Sequence, residues 1–122
     1  MVTFKELKPI IDGVISDLEN IIEKMRSYTK FDTDFRATAL VEDVRAIIHQ
    51  INSVYYNVYS HPEFKDVYGE NANFDYTNYV KMIREYVDRY EEVYQRIKKF
   101  ENINESYADK PNFFSTENEP ER

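Results

Sequence analysis

The chain has 122 residues, enough for one domain with its own core, and it has no cysteine, which excludes disulfides, thiolate metal ligands and a cysteine nucleophile. The net charge is −7, and the one net-positive segment, residues 76–100, carries only +2, so we expect no nucleic-acid partner. No apolar run reaches the roughly 20 residues of a membrane span, and no basic-then-apolar signal order follows Met1, so we expect a cytoplasmic protein without membrane contact.

The first predicted helix begins at a capping box. Thr3 and Glu6 are spaced so that each side chain can satisfy a backbone N–H at the helix start, which places that start near Phe4. Apolar and aromatic residues then recur along one helical stripe. Its members are Phe4, Leu7, Ile10, Ile11, Val14, Ile15, Leu18, Ile21, Ile22, Met25 and Tyr28. Pro9 and Gly13 would allow a bend, or a start closer to Lys8.

A second helix is predicted after Asp32, Thr33 and Asp34, each of which can serve as an N-cap. Its apolar stripe consists of Leu40, Val41, Val44, Ile47, Ile48, Ile51, Val54, Tyr55, Val58 and Tyr59. The helix should end at His61, because the residue before a proline is pushed out of helical geometry. Residues 62–74 are predicted to form an acidic loop with room for one short turn of helix.

A third helix, capped by Asn73 or Asp75, should present tyrosines inward and alternating charges outward. The inward positions are Tyr76, Tyr79, Val80, Ile83, Tyr86, Val87, Tyr90, Tyr94 and Ile97. A tyrosine hydroxyl needs a hydrogen-bond partner or water, so we expect a thin core with hydroxyls at its edge. From about Glu101 the periodicity is lost, which divides the chain into a helical domain, residues 1–100, and an acidic polar tail, residues 101–122.

These elements predict an all-α fold, an antiparallel bundle of three long helices in up-down-up order. A C-terminal segment or a second copy of the chain could complete the bundle to four helices. The fold class alone does not indicate a function, because bundles of this kind serve many roles.

The most informative stretch runs from Ala46 to Pro62, where 17 consecutive residues carry no formal charge in a chain that is 32% charged. Opposite the apolar stripe, small residues recur every seven positions at Ala39, Ala46, Ser53 and Ser60, flanked at the same interval by Glu42, His49 and Tyr56. Small uncharged residues let another helix approach closely at a low desolvation cost. We therefore predict that something covers this side of the helix. The alternatives are chance spacing or the central helix of a self-contained bundle.

The predicted partner interface has two parts. One is this outer face, represented by Ala46, His49, Ser53, Tyr56 and Ser60, and the other is the Phe113–Phe114 pair in the tail. The tail could fold back onto the bundle, because helix 3 ends in Arg96, Lys98 and Lys99 whereas the tail is acidic. It could equally be a linear motif that binds a groove in another protein.

Arg45 and His49 lie one helical turn apart, and together they could stabilise and protonate a phosphodiester. The pair is similar to that of HEPN-type ribonucleases, which carry an Arg and a His close together on a helix, usually at a longer spacing. That resemblance implies a ribonuclease or another hydrolase. The alternative is a surface pair without a catalytic role.

Metal and nucleotide chemistry are not expected. The two histidines form no helical pair and no Glu-x-x-His motif, and two glycines cannot build a phosphate-binding loop. Asp32–Asp34 begins like a calcium loop but lacks its glycine and closing glutamate, so we interpret it as a helix cap. The sequence predicts no cofactor and no metal.

The sequence therefore favours a small acidic protein that acts by protein–protein interaction without catalysis, as an inhibitor, immunity protein or adaptor. Its partner would be another protein or a second copy of the chain as a homodimer. A HEPN-like ribonuclease is the alternative from a different class. A third hypothesis is an acidic mimic of DNA that inhibits a DNA-binding protein, although 16 basic residues dilute the carboxylates that such a mimic needs.

Overall fold

The computed structural model describes residues 1–107, and this part of the chain is all-helical. Its four helices are α1 (Phe4–Arg26), α2 (Phe35–Ser60), α3 (Pro62–Tyr68) and α4 (Thr77–Tyr107). The three long helices are those predicted, while α4 continues to Tyr107, past the position where the periodicity is lost. The predicted tail therefore overlaps the described chain only as far as that residue. Phe113 and Phe114 lie outside the described residues.

The predicted start of α1 is confirmed. The backbone N–H of Thr3 donates to Oε1 of Glu6 at 2.9 Å, and the N–H of Glu6 donates to the carbonyl oxygen of Thr3 at 3.1 Å. Pro9 lies inside the helix without ending it. The helix stops at Arg26, and Tyr28, the last member of the predicted stripe, is buried in the turn that follows.

The start of α2 is fixed by Asp34, one of the three predicted caps. Its Oδ1 accepts a hydrogen bond from the backbone N–H of Arg36 at 3.0 Å, and its Oδ2 accepts one from Nη2 of the same arginine at 2.8 Å. The helix ends at Ser60, and His61 before the proline has extended backbone geometry, as the sequence predicts.

One hydrophobic core lies between the three long helices, each of which contacts the other two. The stripe of α1 supplies the largest share, with Phe4, Leu7, Leu18, Ile21 and Met25 almost fully buried. From α2 come Ala37, Leu40, Val41, Val44 and Ile51, and from the region of α4 come Tyr76, Val80, Ile83 and Ile97. Most tyrosines of α4 are half-buried, with rings packed against the core, which is the arrangement that the tyrosine-rich stripe predicts.

Contacts at the two ends of the molecule define which helix ends meet. The N–H of Tyr76, just before α4, donates to the carbonyl oxygen of Val2, just before α1, at 2.6 Å. The ring of Phe4 stacks on Tyr55 near the end of α2, with centroids 4.9 Å apart. Further along, Nζ of Lys24 lies 3.1 Å from Oε1 of Glu91.

The prediction for residues 62–74 requires a correction. This segment contains a seven-residue helix, α3, rather than a loop with one turn. Pro62 occupies its first turn, where the missing N–H is not needed, and the helix buries no side chain. An apolar periodicity reports burial, so a helix that buries nothing leaves no such pattern in the sequence.

The apolar stripe of α2 is also shorter than predicted. Val54 and Tyr59, which the spacing assigns to the core, are exposed, whereas Tyr55 and Val58 are partly buried. The reason is that α1 begins at Phe4, so the last turns of α2 pack against the end of that helix rather than along its length.

Candidate interaction surface

The α2 outer face consists of Ala46, His49, Ser53, Tyr56 and Ser60, all of them exposed. Helical geometry explains the placement. Nine residues separate Ser53 from Val44, and at about 100° per residue they point in opposite directions. Because Val44 is fully buried against the other helices, Ser53 must face away from them.

No described residue covers this face. The uncharged stretch from Ala46 to Pro62 predicts a neighbour on the far side of α2, but residues 1–107 do not supply one. The side chain of Tyr56 is 68% exposed, which leaves a large aromatic surface open. The hydroxyl of Ser60 donates to the backbone carbonyl of Tyr56, which satisfies that polar group within the helix. The interpretation of α2 as the central helix of a self-contained bundle is therefore not supported by the described part of the chain.

A chain of aromatic rings closes the end of the molecule beside this face. Successive ring centroids lie 4.7–6.2 Å apart. In order the rings are Tyr59, Tyr55, Phe4, Tyr76, Phe74, Tyr68 and Phe64. We call this set the aromatic chain. Distances of this size are favourable for stacked and edge-to-face pairs, so the rings hold α3 and the segment before α4 against the ends of α1 and α2.

The sequence analysis missed Phe64 and Phe74 as members of the aromatic chain. Both lie in the segment interpreted as an acidic loop, and two phenylalanines within eleven residues of such a segment were the available signal. Both are exposed in part, as is Val67 of α3. An acidic segment with several apolar side chains indicates a docked element rather than a solvated loop.

Burial and hydrogen bonding shift several pKa values at this end of the molecule. Desolvation raises the pKa of Tyr76 to about 12, and the same cause raises the pKa of Tyr55. The pKa of Asp75 is lowered, first by the hydroxyl of Thr77 and then by the backbone N–H groups of Thr77 and Val2. These hydrogen bonds cap α4 and bind its start to the N-terminal residues.

Arg45 and His49, the pair similar to that of HEPN ribonucleases, are both exposed on α2. Nη1 of Arg45 lies 3.9 Å from Oε2 of Glu42, one turn earlier, so a carboxylate already neighbours the guanidinium. Neither residue lines the described grooves between helices. A phosphodiester substrate would have to bind on a convex helix surface.

Three open grooves separate the long helices. Two lie between α1 and α4, one of about 590 Å³ beside Lys24 and Tyr94 and one of about 510 Å³ beside Pro9 and Gly13. The third, of about 420 Å³, lies between α2 and α4 and is the least polar. Within the described residues, no group of three or more His, Cys, Asp or Glu side chains is placed to hold a metal ion. In the same part of the chain, no helix combines the length and apolarity needed to cross a membrane.

Comparison with protein-family models, curated proteins and solved structures finds no match to this chain. The function proposed below therefore rests on the residues of this chain alone.

Proposed function

We propose that this protein acts by protein–protein interaction without catalysis, as an inhibitor, immunity protein or adaptor does, and that its contact surface is the α2 outer face. One observation carries the proposal: five neighbouring exposed residues without formal charge, on a chain in which 32% of residues are charged. The cores of protein interfaces are depleted in charged residues relative to the remaining surface, and this face shares that lack of charge and contains one exposed aromatic ring, that of Tyr56.

The other long helices provide the contrast. The exposed side of α4 carries Lys81, Arg84, Glu85, Asp88 and Arg89, and that of α1 carries Lys8 and Asp12 in an ion pair of 3.0 Å. Covering such charges costs several kcal/mol per ion unless each is paired. Uncharged polar groups such as the hydroxyl of Ser53 cost far less to desolvate. A partner would therefore bind at α2 before it would bind at either of the other faces.

The spacing of the small residues favours a helix as the binding element. Ala46, Ser53 and Ser60 form a row with about 10.5 Å between members, two helical turns each, along which another helix can lie closely, whereas Ala39, the first member of the sequence repeat, lines the groove between α2 and α4. We infer that the three long helices form an antiparallel up-down-up bundle and that the partner helix completes it to four. Support for the opposite directions of α2 and α4 comes from Arg36 at the start of α2, which lies over the ring of Phe100 late in α4.

The occupant that we infer is a second copy of the chain. Two molecules of net charge −7 repel each other, and they approach with the least repulsion where neither carries a charge. A basic partner would instead be attracted to Glu63, Asp66 and Glu70 in the acidic segment 62–74. Contact between two α2 outer faces is self-complementary, as a two-fold dimer requires.

The test is the pair of variants Ser53→Arg and Ser16→Arg. Ser53 lies at the centre of the α2 outer face, and Ser16 is an exposed serine on α1, so both variants change the net charge equally. We expect sedimentation velocity to show a dimer for the natural sequence and for Ser16→Arg. In Ser53→Arg the dissociation constant of the dimer should rise at least 10-fold, which corresponds to a loss of about 1.4 kcal/mol of binding free energy. The reason is that two arginines would face each other across the two-fold axis.

Two results would contradict the proposal. One is a natural sequence that sediments as a monomer at every concentration up to the millimolar range. The other is equal dissociation constants for the two arginine variants. Circular dichroism on both variants provides the check that each retains its helices.

A further inference from the structure

The least polar of the three grooves lies between the start of α2 and the late part of α4. We call it the α2–α4 groove, and its apolar lining includes Phe35, Ala39, Val93 and Phe100. Phe35 is 79% exposed and Phe100 is 41% exposed. A contiguous apolar patch with two exposed aromatic rings often marks a binding site. The side chains of residues 1–100 leave both rings exposed.

The lining of this groove carries two arginines and one carboxylate, and each arginine also has an acidic neighbour. Arg36 and Arg96 line it on opposite helices, and Asp43 is the carboxylate among the lining residues. The guanidinium of Arg36 lies 4.1 Å from the ring centroid of Phe100, and its Nη2 is 2.8 Å from Oδ2 of Asp34. These two contacts hold Arg36 in place beside the apolar lining. Arg96 pairs with Glu92 at 3.5 Å on the exposed side of α4.

The segment that follows α4 matches this groove in length and charge. The described chain ends at Tyr107, seven residues beyond Phe100, which corresponds to about 10 Å of helix. The six residues from Tyr107 to Phe113 can span about 20 Å when extended, which is more than the length of helix between Phe100 and Tyr107. A chain that turns back after Tyr107 can therefore bring Phe113 to the groove. Residues 117–121 then carry three glutamates, whose charge is opposite to that of Arg36 and Arg96.

We propose that Phe113 and Phe114, in the segment 108–122 of this same chain, bind in the α2–α4 groove with Glu117, Glu119 and Glu121 beside the arginines of its rim. The two rings provide most of the contact, because exposed ion pairs are screened by salt and contribute little. This inference does not depend on the proposed function, because the α2 outer face remains open when the groove is filled.

A single tryptophan reports on this contact directly, because the chain contains none. In the full-length variant Phe114→Trp, we expect the emission maximum to be shifted to the blue of the same protein in urea, and acrylamide quenching to be reduced. Adding Ala39→Glu fills the groove and places a carboxylate opposite the acidic segment, so it should move the emission to that of the unfolded chain. Adding Ser16→Glu, an exposed change on α1, should leave the blue shift intact.

Two further measurements complete the test. Replacing both rings, as Phe113→Ser with Phe114→Ser, should lower the melting temperature by roughly 4 °C or more if they cover the groove. The emission of Phe114→Trp should also be unchanged over a 100-fold dilution. A red shift on dilution would assign the segment to a neighbouring copy and overturn the proposal. An emission equal to that of the unfolded chain in Phe114→Trp alone, without Ala39→Glu, would overturn it as well and leave the pair available for a groove in another protein.

Discussion

Asp34 is the residue at which the turn after α1 becomes α2. Its carboxylate accepts hydrogen bonds from the backbone N–H and the guanidinium of Arg36, and from the hydroxyl of Tyr28 at 3.1 Å. The guanidinium of Arg36 is the largest cause that holds the pKa of this carboxyl below its ordinary value, followed among the lowering contributions by the backbone hydrogen bond. One side chain thus links a helix cap, an ion pair and a buried tyrosine.

We predict that Asp34→Ala lowers the free energy of unfolding by about 1–2 kcal/mol at pH 7, the usual cost of a lost N-cap. Because the pKa of Asp34 is lower in the folded than in the unfolded protein, its stabilisation is present above about pH 4 and is lost as the pH falls through the folded value. Urea denaturation at pH 7 and near pH 3 measures the difference in unfolding free energy between the natural sequence and Asp34→Ala. We expect that difference to be smaller near pH 3.

The control for this prediction is Asp32→Ala, which removes an exposed carboxylate from the same turn. We expect it to change stability by less than about 0.5 kcal/mol at either pH. If Asp34→Ala costs as much at pH 3 as at pH 7, the hydrogen bonds to the ionised carboxylate are not the source of its effect.

The two glycines act on their helices in opposite ways. Gly13 lies in the middle of α1, and a Cβ added there would meet nothing within 4 Å. Gly69 follows α3, and a Cβ added there would lie 2.1 Å from the carbonyl oxygen of Lys65, which accepts the N–H of Gly69 at 2.8 Å. At the first site the backbone tolerates a side chain, and at the second a backbone atom occupies its place.

We predict that Gly13→Ala raises the free energy of unfolding by about 1 kcal/mol, because alanine loses less conformational freedom in a helix than glycine does. Gly69→Ala should lower it by a similar or larger amount, because the end of α3 must move away from the new methyl group. Urea midpoints of the two variants measure both effects. If the urea midpoints of Gly13→Ala and Gly69→Ala shift in the same direction, the two glycines do not differ in the way proposed.

At the scale of the whole molecule, buried tyrosines make the fold sensitive to alkali. Burial raises the pKa values of Tyr55, Tyr79 and Tyr90, and it raises that of Tyr76 to about 12. Each of these hydroxyls therefore keeps its proton up to a higher pH in the folded than in the unfolded protein. Their contribution to stability is therefore complete below about pH 10 and is lost as the pH rises toward the folded values.

We predict that helical circular dichroism decreases cooperatively between about pH 10 and 12, in step with the absorbance change of tyrosinate. Tyr76→Phe keeps the ring in the aromatic chain and removes one ionisable hydroxyl, so it should move this transition to higher pH. Tyr56→Phe, at a side chain that is 68% exposed in the single chain, is the matched control and should leave the midpoint where it is at protein concentrations too low for the proposed dimer. If Tyr76→Phe leaves the midpoint unchanged, the burial of Tyr76 does not oppose the ionisation of its hydroxyl.

The parts of the fold that could be predicted are those in which local chemistry and burial agree. The capping box at Thr3 predicted the start of α1, the run of candidate caps from Asp32 to Asp34 predicted that of α2 to within two residues, and the residue before Pro62 predicted the end of α2. Each of these signals needs only a few neighbouring residues. The same holds for the opposite sides of α2, where Val44 is buried and Ser53 exposed.

The remaining features depend on contacts between distant segments. The α2–α4 groove joins Phe35 to Phe100, and the aromatic chain joins Phe4 to Tyr76, so neither can be recognised within one stretch of sequence. The exposure of Val54 and Tyr59 depends on where α1 begins against α2. For the candidate surface, helical spacing predicted that these residues point away from the apolar stripe, and only the arrangement of the helices showed that they are exposed.

The short helix α3 has a kinetic consequence. It buries no side chain, and the ring contact that joins it to the segment before α4 is that of Tyr68 with Phe74, so opening it exposes little of the central core. Such segments open as separate cooperative units well below the free energy of global unfolding. Backbone amides in Pro62–Tyr68 should therefore exchange with deuterium much earlier than those around Leu18 and Ile83, and a protease should cut first in the stretch between Tyr68 and Thr77 while the three long helices remain associated.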